Sequence, residues 1–176
     1  MMDLELVKEK IRKVPNFPKE GIVFLDITTG IKDPETLNTM IDFLYETYKD
    51  QKIDYVAGIE SRGFIFGAPL ACKLGAGFIP VRKPNKLPAE TVSESYDLEY
   101  GSDSIEIHKD AVEEGKKVLI IDDLLATGGT AKAACNLFKK VGADVASVAF
   151  IIELCDLGGR EKIEATGVEV VSMLKY

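Results

Sequence analysis

Residues 118–130 read VLIIDDLLATGGT, an apolar run that ends on two carboxylates and continues into small and hydroxylated side chains. Ionised Asp122 and Asp123 can only accept hydrogen bonds, so they suit a group offering two adjacent donors, such as the vicinal hydroxyls of a sugar. Ala126, Gly128 and Gly129 leave room for a ligand to approach the backbone, and Thr127 and Thr130 add hydroxyl donors. A helix beginning near Thr130 would present free N–H groups and the positive end of its dipole, which is a site for a phosphate monoester. The two acids cannot share that phosphate, because like charges repel. Together these residues describe a site for a ribose 5-phosphate. The chain has neither G-x-x-x-x-G-K-[ST] nor G-x-G-x-x-G, so P-loop and dinucleotide-binding readings lack their residues. A plain strand-to-helix turn is the alternative for TGGT by itself; the attached apolar run and acid pair argue against it.

The elements that must position this segment follow from hydrophobic periodicity. YVAGI, FIPV, VLII, VASVAFII and VEVVSM are apolar without polar alternation, as strands covered on both faces are. Helical stretches separate several of them. Ala134, Leu137, Phe138 and Val141 share one face ahead of Gly142, which suits the left-handed position after a helix. FIFGAPLACKLG is apolar all round and predicts a buried helix containing Pro69. Strand and helix in alternation predict a parallel α/β sheet with helices on both faces, whose ligands bind beyond the carboxyl ends of the strands. Asp122 and Asp123 fall at such an end. Toward the N-terminus, Leu4, Val7, Ile11 and Val14 recur at helical spacing behind Asp3 and predict an amphipathic helix. PNFPKEGIVFLDITTG then reads as a proline-punctuated loop entering a short extended segment. Asp33-Pro34 predicts a helix start with Asp33 as N-cap, and Leu37, Met40, Ile41, Leu44, Tyr45 and Tyr48 form its apolar face. Residues 83–109 are polar, with two short strands around Tyr100-Gly101. An insertion of that kind between buried strands is a functional lid or a disordered segment.

At 176 residues the chain is long enough for one domain with a substantial core. Its net charge of −7, from 22 basic and 29 acidic residues, argues against nucleic acid or an anionic membrane as partner. No apolar run approaches the roughly 20 residues that cross a bilayer. The opening MMDLELVKEKIRKV carries charges throughout, without a signal-like apolar stretch. Cys72, Cys135 and Cys155 have no CxxC spacing and sit among apolar neighbours, which predicts buried thiols in a reducing compartment, hence the cytoplasm.

VLIIDDLLATGGT resembles the phosphoribosyl pyrophosphate motif of the type I phosphoribosyltransferases. GIVFLDITTGIKDP, GIESRGFIFGAPLA, VRKPNKLP, ESYDLEYG, IEIHKDAV and FIIELCDLGGREKI resemble, in order and position, the adenine phosphoribosyltransferases among them. The likeness runs from about residue 5 to residue 175. It implies the type I phosphoribosyltransferase fold, with an N-terminal hood (mainly residues 1–35) and a flexible lid loop (about 83–109). It implies transfer of a phosphoribosyl group from phosphoribosyl pyrophosphate to adenine, with release of AMP and pyrophosphate. Residue by residue, Ala126, Thr127, Gly128, Gly129 and Thr130 would hold the 5′-phosphate, and Asp122 and Asp123 the ribose hydroxyls. The backbone at Glu60 and Ser61, with Arg62, Arg82, Lys83, Lys86 and Tyr100, would meet the pyrophosphate. Glu99 matches the carboxylate that manages the adenine ring proton. Phe24 would stack on the base, Val23 and Leu25 would contribute main-chain hydrogen bonds, and Leu154 would cover the other face. Relatives often carry a basic residue where this chain has Leu25, which puts that side-chain contact in doubt. Magnesium would be held by substrate oxygens and water, as that ion prefers, with no dedicated protein site. A homodimer is implied, with Arg160 and Lys162 as candidates for its interface.

His108 is the single histidine and has no partner at ligand spacing, so it reads as structural or exposed. Asp156 reads as a helix N-cap. Two other functions stay open at this point: a phosphoribosyltransferase for another base, which SYDLEYG and GIVFLDITT disfavour, and a non-catalytic regulator that binds phosphoribosyl pyrophosphate. A regulator of nucleic acids would need a basic module for which this acidic chain has no room.

Overall fold

The structure, a computed structural model, describes residues 4–97 and 101–176. Helix α1 (Leu4–Lys10) leads into a hairpin of β1 (Arg12–Pro15) and β2 (Val23–Asp26), followed by α2 (Thr28–Lys32) and α3 (Pro34–Tyr48). Strand and helix then alternate through β3 (Tyr55–Ile59), α4 (Gly63–Leu74) and β4 (Gly77–Val81). An antiparallel ribbon, β5 (Thr91–Asp97) with β6 (Ser102–His108), precedes β7 (Lys117–Leu125) and α5 (Gly129–Lys140). The chain closes with β8 (Asp144–Glu153), a 3-10 turn at Cys155–Leu157, α6 (Gly159–Glu164) and β9 (Glu169–Lys175).

Strands β4, β3, β7, β8 and β9 form one parallel sheet in that spatial order. The chain order reverses between β3 and β7, and the carboxyl ends of two such strands open the crevice where doubly wound sheets bind ligands. Side-chain alternation on the central strand divides the interior in two. Val118 and Ile120 pack with Ala134, Leu137 and Phe138 of α5. Leu119 and Ile121 pack with Met40 and Leu44 of α3 and Phe66 and Leu70 of α4. Tyr48, buried at the end of α3, shares a 2.8 Å hydrogen bond with Ser147 of β8. That burial pushes the phenol up to about 12.

All five apolar runs are strands, and the helix behind Asp33 has the expected face, with Met40, Ile41, Leu44 and Tyr48 buried. Gly142 adopts φ 83° after α5, as its position predicts. Other expectations need correction. Val14 lies in β1 and not in the first helix, because the following Pro15 disfavours helical geometry at the residue before it. Asp33 is at the N-cap, but its carboxylate faces Lys10 at 3.6 Å and caps nothing. Asp156 lies in the 3-10 turn, and Gly158 is the N-cap of α6. Helix α4 is buried along Phe66, Gly67, Leu70 and Ala71 but exposes Ile65. Cys135 is buried, whereas Cys72 and Cys155 are exposed; all three are free. The described residues of 83–109 form an anchored ribbon and not a loose insertion. Ile105 and Ile107 are buried against the sheet, and Glu94 ties the ribbon to Lys140 of α5 at 2.9 Å.

Phe138→Ala empties a fully buried ring site and should lower the unfolding free energy in urea by about 3–5 kcal/mol. Tyr48→Phe, which loses only the bond to Ser147, should cost about 1 kcal/mol in the same titration.

Candidate active site

Hydrogen bonding between β3 and β7 ends at Gly58 and Ile121, whereas β7 stays paired with β8 as far as Leu125 and Glu153. Past Ile121 one edge of β7 is therefore open, and the first residues beyond it are the two acids. Gly63, at the start of α4, closes the floor of this opening. A Cβ there would lie 2.6 Å from the Ile121 carbonyl oxygen. The alternation that splits the core also splits the carboxylates. Asp122 lines a cavity of about 110 Å³ on the α5 side, and Asp123 one of about 130 Å³ under the hairpin.

The α5-side cavity is built by the loop after β7. It is lined by Asp122, Leu124 through Ala131 and Phe150. Gly128 adopts φ 75°, which only glycine takes up freely, and its carbonyl accepts the Lys132 N–H at 2.9 Å to close the first turn of α5. The N–H groups ahead of that bond have no acceptor within the helix, and no acidic residue sits in the first turn. This arrangement is what a phosphate requires. Asp122 accepts the Asp123 N–H at 2.9 Å. Loss of hydration, and then the adjacent Asp123 charge, hold its carboxyl well above the usual carboxylate range.

The hairpin-side cavity is lined by Phe24, Leu25, Asp26, Ile27, Thr28, Arg62, Asp123 and Leu124. Phe24 is 36% exposed, and its ring meets Phe17 edge-on with centroids 5.3 Å apart, leaving it open to a stacking partner. Strand β2 pairs only with β1 among the described residues, so its other edge offers main-chain N–H and C=O groups. Leu25 turns its side chain into the core, at 8% exposure. Its backbone lies on the free edge of β2. Val23 is exposed, and Val23 and Leu154 are not among the residues lining this cavity. Asp123 is ion-paired with the Arg62 guanidinium, whose proton is held more firmly for it. Arg62 thus sits with the hairpin cavity, apart from the other cations expected around pyrophosphate.

Those cations surround the end of β3, where the Glu60–Ser61 peptide bond is cis. Glu60 accepts Arg82 Nε at 2.8 Å and the Lys83 N–H at 2.9 Å, and these bonds lower its carboxyl below its ordinary value. Lys83 Nζ bonds the Tyr96 hydroxyl at 2.8 Å and pairs with Asp103 of the ribbon. Lys86 is exposed and has no ion-pair partner among the described residues. Glu99 and Tyr100 lie outside the described residues. No group of three or more metal-ligating side chains occurs among the described residues.

Two residues with no role in the sequence reading, Asp26 and Gly159, belong to this region. Asp26 accepts the Thr28 N–H at 3.0 Å, the Thr28 hydroxyl at 2.6 Å and Arg12 Nε at 3.0 Å. With Thr28 first among these, its carboxyl falls to about 2. The Asp-x-Thr spacing in FLDITT was the available signal, because Asp commonly bonds the backbone two residues on. Gly159 touches the loop after β7 and carried no local signal. Arg160, the candidate for a subunit contact, grips Glu153 within the same chain, through Nε at 2.8 Å and Nη2 at 2.5 Å.

Comparison with known proteins accords with this geometry. The Phosphoribosyl transferase domain family matches residues 29–173. An adenine phosphoribosyltransferase of Clostridium botulinum is 56% identical over 175 residues, covering 99% of each chain. The crystal structure of adenine phosphoribosyltransferase from Thermoanaerobacter pseudethanolicus superposes with a TM-score of 0.94 at 52% identity, covering 99% of this chain and 100% of that one. The enzyme from Saccharomyces cerevisiae, crystallised with an iminoaltritol bisphosphate and adenine, superposes with a TM-score of 0.90 at 42% identity, covering 97% and 98%. The chain belongs to the adenine phosphoribosyltransferase family of the type I phosphoribosyltransferases.

Proposed function

We propose that this protein transfers the 5-phosphoribosyl group of phosphoribosyl pyrophosphate to adenine, giving AMP and pyrophosphate, a purine-salvage reaction. The observation that carries the reading is the placement of Asp122 and Asp123 on opposite faces of β7, one in each cavity. A ribose lying across the strand end has its 5′-phosphate toward Ala126–Thr130 and its C1 toward the hairpin, with both hydroxyls within reach of the acids. The adenine found with the yeast relative has its counterpart here in a base stacked on Phe24, bonded to the free edge of β2 around Val23 and Leu25, and covered by Leu154.

Loss of pyrophosphate leaves positive charge on the ribose ring, as in glycoside hydrolysis. The end of β3 receives the leaving group through the Glu60–Ser61 backbone with Arg82, Lys83 and Lys86, and Arg62 and Tyr100 are the remaining members of the set. Stabilising charge where it develops is the larger part of such catalysis. Glu99 takes up the adenine ring proton as the base nitrogen attacks. Residues 83–109 carry the lid, with the buried Ile105 and Ile107 as its fixed base, and its closure excludes water that would hydrolyse the activated sugar. Magnesium would be held mainly by the substrate's own oxygens and water, as that ion prefers. When bound, the ion neutralises charge on the departing pyrophosphate. The chain works as one domain, residues 1–176 with a hood mainly of 1–35, in a cytoplasmic homodimer to which exposed Ile65 of α4 offers apolar surface. No helix among the described residues is long and apolar enough to cross a membrane.

With magnesium and phosphoribosyl pyrophosphate present, pyrophosphate release should require adenine, with guanine, hypoxanthine and orotate inert. Release with another base would overturn the hood assignment, and tight binding without turnover would make the protein a regulator. Glu99→Ala should lower kcat about 100-fold or more while leaving binding of phosphoribosyl pyrophosphate within twofold; unchanged turnover would remove the acid–base role. Asp122→Asn separates stability from activity. A carboxyl whose folded pKa is raised contributes stability only at low pH, and that contribution is lost as pH rises through the raised value. The uncharged amide avoids this loss, so the variant should melt about 2–4 °C higher at pH 7. The gain should vanish in acid, and activity should fall sharply at every pH. Equal melting temperatures at pH 7 would contradict the burial argument.

A further inference from the structure

The loop after β7 is shaped from behind as well as by its own residues. Gly128 and Gly159 are in backbone contact. A Cβ on Gly128 would lie 2.6 Å from the Gly159 carbonyl oxygen. A Cβ on Gly159 would run into the Ala126 carbonyl oxygen and lie 2.8 Å from Leu125 Cδ1 and 3.1 Å from the Gly128 nitrogen. Two of these neighbours are main-chain atoms, so a side chain at 159 could be admitted only by moving the loop.

Gly159 is itself held in place. It opens α6, and the next residue, Arg160, is fixed to the end of β8 and the first half of β9. Arg160 Nη1 donates to the Val170 carbonyl at 2.6 Å, and Nη2 to Ser172 Oγ at 3.1 Å, besides the two bonds to buried Glu153. Glu153 is the register partner of Leu125, the last strand residue before the loop. A closed circuit therefore runs from β7 across to β8, through Arg160 to Gly159, and back onto Ala126 and Gly128. The N–H groups at the start of α5 keep their direction only while this circuit keeps its dimensions.

We infer that Gly159 is a positioning residue for the phosphate loop: its bare backbone, anchored through Arg160, seats Ala126 and Gly128 so that the α5 N–H groups aim at the 5′-phosphate. The inference rests on the reading of residues 126–130 as the phosphate site. Gly159 does not face the ligand. It acts through the loop, and a ligand that does not use the loop should not sense it.

The test compares two competitive inhibitors of phosphoribosyl pyrophosphate in the full-length protein. Ribose 5-phosphate uses the loop, whereas inorganic pyrophosphate binds at the end of β3. Gly159→Ala should raise the inhibition constant of ribose 5-phosphate about tenfold or more and leave that of pyrophosphate within twofold. Gly167→Ala serves as a strain control, because Gly167, in the turn after α6, has a φ of 81° that strains alanine, yet nothing lies within 4 Å of its would-be Cβ; it should change neither constant. Should Gly159→Ala fail to fold, Arg160→Lys, which keeps the charge but loses the forked grip, should give the same split at about threefold. A parallel rise in both constants in whichever variant folds would mean general loosening and overturn the brace. Thr130→Val separates the two levels of the argument. If it weakens ribose 5-phosphate and Gly159→Ala does not, the brace is wrong and the loop reading stands. If neither variant weakens it, the loop reading fails and the brace fails with it.

Discussion

Parallel hydrogen bonds on both sides hold β7 through Ile121, and on one side only from there to Leu125. That asymmetry, four residues of strand with a free edge, underlies everything else in the crevice. A strand that ended with its apolar run would deliver Asp122 and Asp123 on a loop, free to turn together toward any cation. Because β8 keeps the strand extended through the two acids, these adjacent carboxylates are held on opposite faces. Each then acquires its own surroundings, Asp122 beside the first turn of α5 and Asp123 beside Arg62 under the hairpin. The arrangement has a cost in stability, since two like charges are held close together, with Asp123 buried and Asp122 partly so. Such costs are typical of places where the fold serves a ligand rather than itself.

The charges around the end of β3 are organised by the same sheet. Arg82 and Lys83 follow β4 directly, and Glu60 follows β3, so parallel pairing of these strands brings acid and base together. Lys83 reaches further, to Asp103 and Tyr96 of the ribbon. A pyrophosphate arriving here does not meet bare cations. It competes with carboxylates already present, and the gain is the difference between two sets of ion pairs. A ligand with several charges in fixed geometry wins that exchange more readily than a single carboxylate or inorganic phosphate. The pairing with Asp103 also links a cation of the crevice to the ribbon, whose inner residues Ile105 and Ile107 are packed in the core.

Much of this was legible in the sequence, for identifiable reasons. Strands buried on both faces leave unbroken apolar runs, and all five runs are strands. The acid pair and small-residue loop were readable because their chemistry is local. Where local signals competed, the periodic one misled: Ile11 to Val14 continues a helical stripe, yet Pro15 decides the backbone at Val14. The ribbon was read as polar because Ile105 and Ile107 alternate with Ser104 and Glu106 and so dilute one another in composition. Exposure of Cys72 and Cys155 depends on which side of α4 and which end of β8 face outward, which a residue's immediate neighbours do not state. Contacts between distant segments left no trace at all. Nothing in DLGGREK announces that its second glycine lies against the loop after β7, or that its arginine is bound to Glu153.

A phosphate held by backbone N–H groups makes its demand on shape rather than on charge. With a net charge of −7 the chain gives a polyanion no long-range attraction. The N–H groups at the start of α5 give up only water when a phosphate arrives, and the fold has aligned their dipoles beforehand. Selectivity then falls on distance: a ligand must place a phosphate at the α5 turn while presenting hydroxyls to carboxylates on the two faces of one strand. Residue types alone do not secure that match, since a loop shifted by an ångström would keep every side chain and lose the geometry. The backbone behind the loop, at Gly159 and its anchor Arg160, is for that reason as much a part of the recognition of a sugar phosphate as the residues that face it.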